Sequence, residues 1–394
     1  MTFRIIQGDN RDVLKTIETD SIDAIVTDPP YGIDFLGKAW DANTGALETY
    51  QECLRVLKPG GHILAFSAAR TYHHLAITLE QAGFEIRDQI MWIYSSGFPK
   101  SQDVGRSIQR SLGVKEKKPH KNNVPRNGGA GETKHYESDG QVVVTDPEAK
   151  KWSGWGTALK PAHEPICLAR KPMKTSIAQN CQKYGTGALN IDATRVDWDE
   201  DAITNIRRQN ALGGEIIGGG IEKYATVGED AEQKHKTQRV LLNEQGRFPS
   251  NVIGEILQAD YQKYFYCPKV SRAERHIGFD LSHIPTDPSG YQGKSNGGNY
   301  VEKKQGQLKE GNNHPTVKPV ALMKYLIQLI TPPGGTVLDP FNGSGTTGMA
   351  AVELGNNYIG IELDPKYVEI AETRIRAWQN RDLAKNNYSD LFVE

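Results

Sequence analysis

Residues Asp28-Pro29-Pro30-Tyr31 close the apolar run Ile22-Asp23-Ala24-Ile25-Val26-Thr27 and dictate how that run can end. A short apolar run followed by two prolines predicts a buried strand that stops at position 27. Proline has no N–H for a ladder, fixes φ, and disfavours the helical region in the residue before it. Asp28 and Pro29 therefore run extended past the strand end, and the Pro29 carbonyl stays free. Within four residues the chain collects a carboxylate, two carbonyls that no helix can claim, and an aromatic ring. That set suits an exocyclic amine on a nucleobase, a poor nucleophile because its lone pair is delocalised into the ring. Asp28 and Pro29 can each accept one amine hydrogen and so hold the lone pair toward an electrophile. Tyr31 can lie flat on a base drawn out of its stack. The bland alternative is a strand-to-loop turn, for which Asp-Pro-Pro is ordinary.

The far end of the chain supplies context. Thr336-Val337-Leu338-Asp339-Pro340-Phe341-Asn342-Gly343-Ser344-Gly345-Thr346-Thr347-Gly348 reads as a short buried strand, a glycine loop and the start of a helix that stops at Gly355. Glycines let the backbone approach a ligand closely, and a helix N-terminus offers unpaired N–H groups to a carboxylate or phosphate. Asn357-Tyr358-Ile359-Gly360-Ile361-Glu362 then predicts a second strand ending in an acid that can take both hydroxyls of a ribose. The acid follows the loop by about twenty residues, the interval of dinucleotide-type units. No Gly-Lys-Ser/Thr is present, which argues against a P-loop.

Asp-Pro-Pro-Tyr together with Asp-Pro-Phe-Asn-Gly-Ser-Gly-Thr resembles the DNA amino-methyltransferases, which move a methyl group from S-adenosylmethionine to adenine N6 or cytosine N4. The catalytic tetrapeptide precedes the cofactor loop, as in the permuted beta group of that family. The resemblance covers residues 1–100 and 311–394 and extends to Ile5-Ile6-Gln7-Gly8-Asp9-Asn10, Val56-Leu57-Lys58-Pro59-Gly60-Gly61 and His314-Pro315-Thr316-Val317-Lys318-Pro319. It implies a doubly wound, Rossmann-like α/β sheet in permuted order. Residues 1–100 would form the catalytic half, 101–310 an inserted target-recognition region, and 311–394 the cofactor-binding half. It further implies catalysis by Asp28, Pro29, Pro30 and Tyr31. Asp9 would face the cofactor adenine, Glu362 its ribose, and Thr316 and Lys318 its methionine end. The loop Asp339, Phe341, Asn342, Gly343, Ser344, Gly345 and Thr346 would complete the cofactor site. Asp9 has a plain alternative as a helix cap. Double-stranded DNA is the implied partner, and the resemblance leaves room for a homodimer and a separate restriction nuclease.

Aspartate at the first motif position is the usual adenine form in that family, whereas serine is common among cytosine enzymes. Asp28 therefore favours adenine N6, with cytosine N4 as the alternative. RNA or protein-glutamine methylation is weaker, because those enzymes usually place the cofactor loop first. A non-catalytic DNA- or cofactor-binding module would have no need of Asp28 beside Tyr31. A fused nuclease finds little room, and no acidic cluster reads as a metal site.

The formal net charge of −1 does not announce a polyanionic partner, but residues 100–126 carry eight Lys or Arg against two acids. Lys100, Arg106 and Arg110 are candidates for phosphate contact, with a solvated charged loop as the alternative. Phe98, in Ser95-Ser96-Gly97-Phe98-Pro99-Lys100, follows the last strand of the first half and is a candidate to cover the second face of the base. Cys53, Cys167, Cys181 and Cys267 have no paired spacing and read as packing residues rather than a disulfide framework or a zinc site. No apolar run approaches a membrane span and the amino terminus lacks a signal-peptide pattern, so a cytoplasmic protein is expected.

Periodicity gives alternating elements in both flanks. Strands are predicted at 3–7, 22–27, 63–66 and 84–94. Helices are predicted through Leu47–Leu57, around Leu75 and Leu79, and at 317–331 and 365–380. Asp28, Asp339 and Glu362 all fall at carboxyl ends of strands, where open α/β sheets bind ligands.

Overall fold

Every strand predicted in the two flanks joins one sheet. The computed structural model describes residues 2–33, 44–94, 101–114, 144–197, 204, 246–254, 270–279 and 311–381. Its strands are β1 (Phe3–Gln7), β2 (Ile22–Thr27), β3 (Leu57–Phe66), β4 (Glu85–Ile93), β5 (His163–Arg170), β6 (Val252–Gly254), β7 (Thr336–Asp339) and β8 (Asn357–Glu362). They form one eight-stranded sheet in the order β1-β8-β7-β2-β3-β5-β4-β6. The run from β1 to β3 is parallel throughout, β5 is antiparallel to both its neighbours, and β6 lies parallel to β4. This is the Rossmann-like methyltransferase fold that the resemblance implies.

Successive strand residues point to opposite faces, and both faces are covered. Ala24, Val26, Leu64, Phe66, Val337 and Tyr358 pack on one side with the helices Val320–Ile330, Thr346–Glu353 and Pro365–Arg381. Ile25, Ile63, Ala65, Leu338, Ile359 and Ile361 pack on the other with Leu47–Val56 and Tyr72–Ala82. Burial on both faces explains why β2 reads as a nearly continuous apolar run rather than an alternating one. Cys53 and Cys167 are buried free thiols, as read from their spacing, and Cys267 lies outside the described residues. Among the described residues no helix is long and apolar enough to cross a membrane.

Two boundaries differ from expectation. The helix ends at Val56 and β3 starts at Leu57, so Lys58-Pro59-Gly60-Gly61 is already strand. Pro59 holds Lys58 out of the helical region, which makes the change of structure abrupt. The stretch 101–310 also contributes β5 and β6 to the sheet. Pairing with β3 and β4, rather than any local pattern, makes His163–Arg170 a strand.

The chain divides into two units, Met1–Tyr94 with His163–Glu394, and Ser95–Ala162. Within the second, Asp103 caps the helix Val104–Ser111 by accepting from the Arg106 N–H at 2.9 Å. Buried Gln109 accepts from the Thr145 N–H at 2.6 Å. Arg106 and Arg110 are one helical turn apart, with Arg110 exposed. Phe98 and Lys100 lie outside the described residues.

Asp23 ties the two ends of the chain together within the larger unit. Its buried carboxylate accepts from Lys58 Nζ at 2.6 Å and from the Thr336 N–H, at the start of β7, at 2.7 Å. Removing it leaves a part-buried N–H without its acceptor and an ammonium without its counterion. Asp23→Ala is expected to lower the free energy of unfolding by about 2 kcal/mol. The check is the urea midpoint at constant slope, and an unshifted midpoint would refute the role given to this residue.

Candidate active site

Pairing of β2 with β7 aligns Ile25 with Leu338, so both strands end at the same edge of the sheet. Thr27, the last residue of β2, donates its hydroxyl to Asp339 Oδ1 at 2.7 Å across that pair. Asp339 is buried and also accepts from the Thr347 hydroxyl at 2.6 Å and the Phe341 N–H at 3.1 Å. Burial nevertheless dominates and pushes its carboxyl up to about 6, with the Asp28 charge adding to the rise. Asp28 and Asp339, far apart in the chain, are thus near enough to feel one another.

Beyond Asp339 the chain turns through Gly343, at φ 53°, into the helix Thr346–Glu353. A Cβ on Gly343 would lie 3.1 Å from His314 Nε2, and one on Gly348 would lie 2.6 Å from the Tyr358 ring, so the helix rests directly on β8. The loop is braced from below by Arg374. This buried guanidinium donates to the Ser344 carbonyl and hydroxyl, the Thr346 hydroxyl and the Glu274 carbonyl. Asn342 is fixed from β8 by the Tyr358 hydroxyl at 2.7 Å.

Glu362, at the end of β8, accepts from the Gly343 N–H at 2.7 Å and the Asp364 N–H at 3.0 Å, one on each oxygen. Burial raises its pKa, against these two donors. A carboxylate has about four acceptor positions, so a vicinal diol still fits it. Asp9 stands past the end of the neighbouring β1, where Gln7 aligns with Glu362. It caps the helical turn Asn10–Val13 by accepting from the Arg11 N–H at 2.9 Å, and it also pairs with the Arg11 side chain, which lowers its pKa. The plain alternative for Asp9 is therefore present in the fold.

Asp28 and Tyr31 of the tetrapeptide lie in a compact polar cluster with Glu164 and Lys318. The Tyr31 hydroxyl lies 2.8 Å from Asp28 Oδ1 and 2.8 Å from Glu164 Oε2. Lys318 Nζ donates to Asp28 Oδ2 at 2.6 Å and to the Tyr31 oxygen at 3.0 Å, and stands 3.4 Å from Glu164 Oε2. Burial pushes the Tyr31 hydroxyl well above its usual pKa, reinforced by both carboxylates. Burial works against the Lys318 ammonium, but Asp28 and then Glu164 outweigh it and its pKa rises. The ammonium also lies over the rings of Phe66 at 4.8 Å and Tyr31 at 5.3 Å.

Segment 314–318 touches both halves, with His314 against Gly343 and Lys318 on Asp28. Burial lowers the His314 pKa to about 4, so the ring is neutral near pH 7. Its Nδ1 faces the Thr316 carbonyl at 3.0 Å and there must carry the hydrogen. Thr316 is exposed. Lys318, read as a contact of the methionine end, is bonded to the tetrapeptide. Glu164 is absent from the sequence reading. It reaches the cluster because β5 runs antiparallel to β3, which brings the start of β5 to the edge where β2 and β3 end.

A family model described as DNA methylase matches residues 22–373. The type II methyltransferase M.HindIII of Haemophilus influenzae is 24% identical over 95% of this chain and 96% of its own. The type II methyltransferase M2.DpnII of Streptococcus pneumoniae is 27% identical, covering 65% of this chain and 98% of its own. Among solved structures, the M1.HpyAVI–SAM complex is 17% identical with a TM-score of 0.41, covering 95% of this chain and 99% of that one.

The raised pKa of Asp339 has a definite sign. A carboxyl that holds its proton more tightly folded than unfolded contributes stability that is lost as pH rises from about 4 through about 6. Asp339→Asn keeps the shape without ionising. Urea denaturation across that range is expected to show a smaller decline for the variant than for the native chain. Parallel pH profiles would contradict the assigned shift.

Proposed function

The chain belongs to the DNA methylase family, and on that premise we propose that it methylates the N6 amine of adenine in duplex DNA. Its methyl donor is S-adenosylmethionine. The reading rests on one observation, the bond from Thr27 to Asp339 that joins the strand leading to Asp28 to the strand leading to the glycine loop. Donor and acceptor sites built on those strands share one sheet edge.

S-adenosylmethionine supplies, when bound, a methyl group on positively charged sulfur, and the sulfur–carbon bond breaks as the new nitrogen–carbon bond forms. The protein's task is positioning. Glu362 would hold the ribose hydroxyls, Asp9 would face the adenine, and Thr316 and the loop Phe341–Thr346 would receive the methionine end, while Lys318 holds Asp28. Asp28 and the Pro29 carbonyl accept the two hydrogens of the target amine, which turns its lone pair out of the base plane. Tyr31 carries the flipped base on its ring. As nitrogen becomes positive, the carboxylate stabilises it, and the surplus hydrogen leaves as a proton to an Asp28 oxygen. Orientation can supply about 7–11 kcal/mol, and one preorganised electrostatic contact about 3–4 kcal/mol.

Aspartate at the head of the motif favours adenine, and cytosine N4 offers the same two hydrogens to the same acceptors. Target recognition falls to residues between β4 and β7 that lie outside the sheet. Arg106 and Arg110, together with Lys100 and Phe98, are assigned to DNA. The type II methyltransferase relatives support a restriction–modification role, and the reading extends to a cytoplasmic protein, a separate nuclease and a homodimer.

Asp28→Ala is expected to cut methyl transfer about a hundredfold to a thousandfold, the scale of one lost preorganised contact. Cofactor affinity should change by less than about threefold, about half of the 1.4 kcal/mol that a tenfold change makes. Labelled cofactor and equilibrium binding measure the two, and loss of cofactor binding instead would show the residue misassigned. Nucleoside analysis of treated DNA is expected to yield N6-methyladenine. N4-methylcytosine would replace the adenine reading with the cytosine one.

A further inference from the structure

Glu164 has no part in the mechanism above, yet it is built into its centre. Its carboxylate receives the Tyr94 hydroxyl, sits 2.8 Å from the Tyr31 hydroxyl, and lies 3.4 Å from Lys318 Nζ. Tyr31 has one hydroxyl hydrogen for two carboxylates, so it donates to Asp28 or to Glu164 but not to both. Its oxygen in turn accepts from Lys318.

The arrangement poses a conflict at Asp28. Each Asp28 oxygen already has a partner, Oδ2 the Lys318 ammonium at 2.6 Å and Oδ1 the Tyr31 hydroxyl at 2.8 Å. A carboxylate has further acceptor positions, but the amine and Lys318 compete for the same charge, and Asp28 accepts its one amine hydrogen most strongly when Lys318 loosens its hold. An ammonium only 8% exposed in its side chain cannot be left without a counterion. Glu164 resolves this. Closing the 3.4 Å separation by about half an ångström brings Nζ into charge-assisted hydrogen-bond range. The Tyr31 proton can then turn toward Asp28 or away from it, according to which oxygen is engaged.

The charge count points the same way. Two carboxylates against one ammonium leave one surplus negative charge in a confined site.

We propose that Glu164 is a positioning residue, the alternative seat onto which Lys318 moves so that Asp28 is freed for the target amine. The proposal rests on the reading of Asp28 as the amine acceptor. Glu164 itself touches neither base nor methyl group. It acts through Lys318 and Tyr31.

The test is a double-mutant cycle on the full chain, with unmethylated phage DNA and tritiated S-adenosylmethionine, read as single-turnover rate at saturating cofactor. Glu164→Gln keeps the size and removes the charge. It is expected to slow transfer about tenfold to a hundredfold while cofactor and DNA affinities stay within about threefold. On a Lys318→Met background, where no ammonium needs a seat, the same change is expected to cost less than about threefold. Glu164→Asp, which retains the charge, is expected to recover part of the rate. A native rate for Glu164→Gln, or an equal loss with and without Lys318, overturns the proposal. If Lys318→Met alone abolishes turnover, the comparison of Asp with Gln decides, and equal loss in both overturns it. Thermal melting checks folding, and Glu164→Asp replaces Glu164→Gln in the cycle should the amide fail to fold. Full activity in Asp28→Ala would instead remove the underlying reading of Asp28, an outcome independent of the cycle.

Discussion

A single buried carboxylate holds the construction together. Asp339 receives hydrogens from Thr27 on β2, from Thr347 on the helix after the loop, and from the Phe341 N–H inside the loop. Strand, loop and helix are fixed to one another by three short contacts at the point where they diverge. The cost is visible in its pKa, which burial raises to about 6 despite three donors. An acid kept in such a place, with every neighbour bonded to it, sets the separation between the tetrapeptide after β2 and the loop after β7.

Around that point the site is divided by charge. On the loop side, Arg374 supplies donors to Ser344, Thr346 and the Glu274 carbonyl, so the loop backbone is held by the helix Pro365–Arg381. On the tetrapeptide side, Lys318 lies between Asp28 and Glu164, with aromatic rings shielding it from water. The segment His314–Lys318 crosses between them, packed on Gly343 at one end and bonded to Asp28 at the other. Rearrangement of this segment is felt on both sides.

Much of this was readable from the chain. Strands β2, β7 and β8 declare themselves by short apolar runs that end at Pro or at an acid. The glycine loop and the double proline mark the functional edge for the same reason, since both punctuate backbone geometry locally. What was not readable is whatever depends on partners far along the chain. His163–Arg170 carries no signal that separates a sheet strand from a core segment, and only pairing with β3 and β4 decides it. Glu164 was invisible because its position follows from the reversed direction of that strand. Lys318 was assigned by likeness to the cofactor, whereas its bond to Asp28 depends on how the 314–318 segment lies across the sheet. Asp9 shows how a cap and a ligand contact share one sequence signature.

The pairing of β2 with β7 also bears on how the protein comes into being. Some three hundred residues separate the two strands, so a ribosome delivers β2 long before its neighbour exists. Until then β2 is an outer strand with an open row of backbone groups, the type of edge that recruits stray chains. Its side chains are wholly apolar except at Asp23 and Thr27, the two positions that later bond to the β7 segment. The nascent polypeptide therefore carries an adhesive seam until β7 emerges some three hundred residues later, and the arrival of that strand both joins the two motifs and seals the seam.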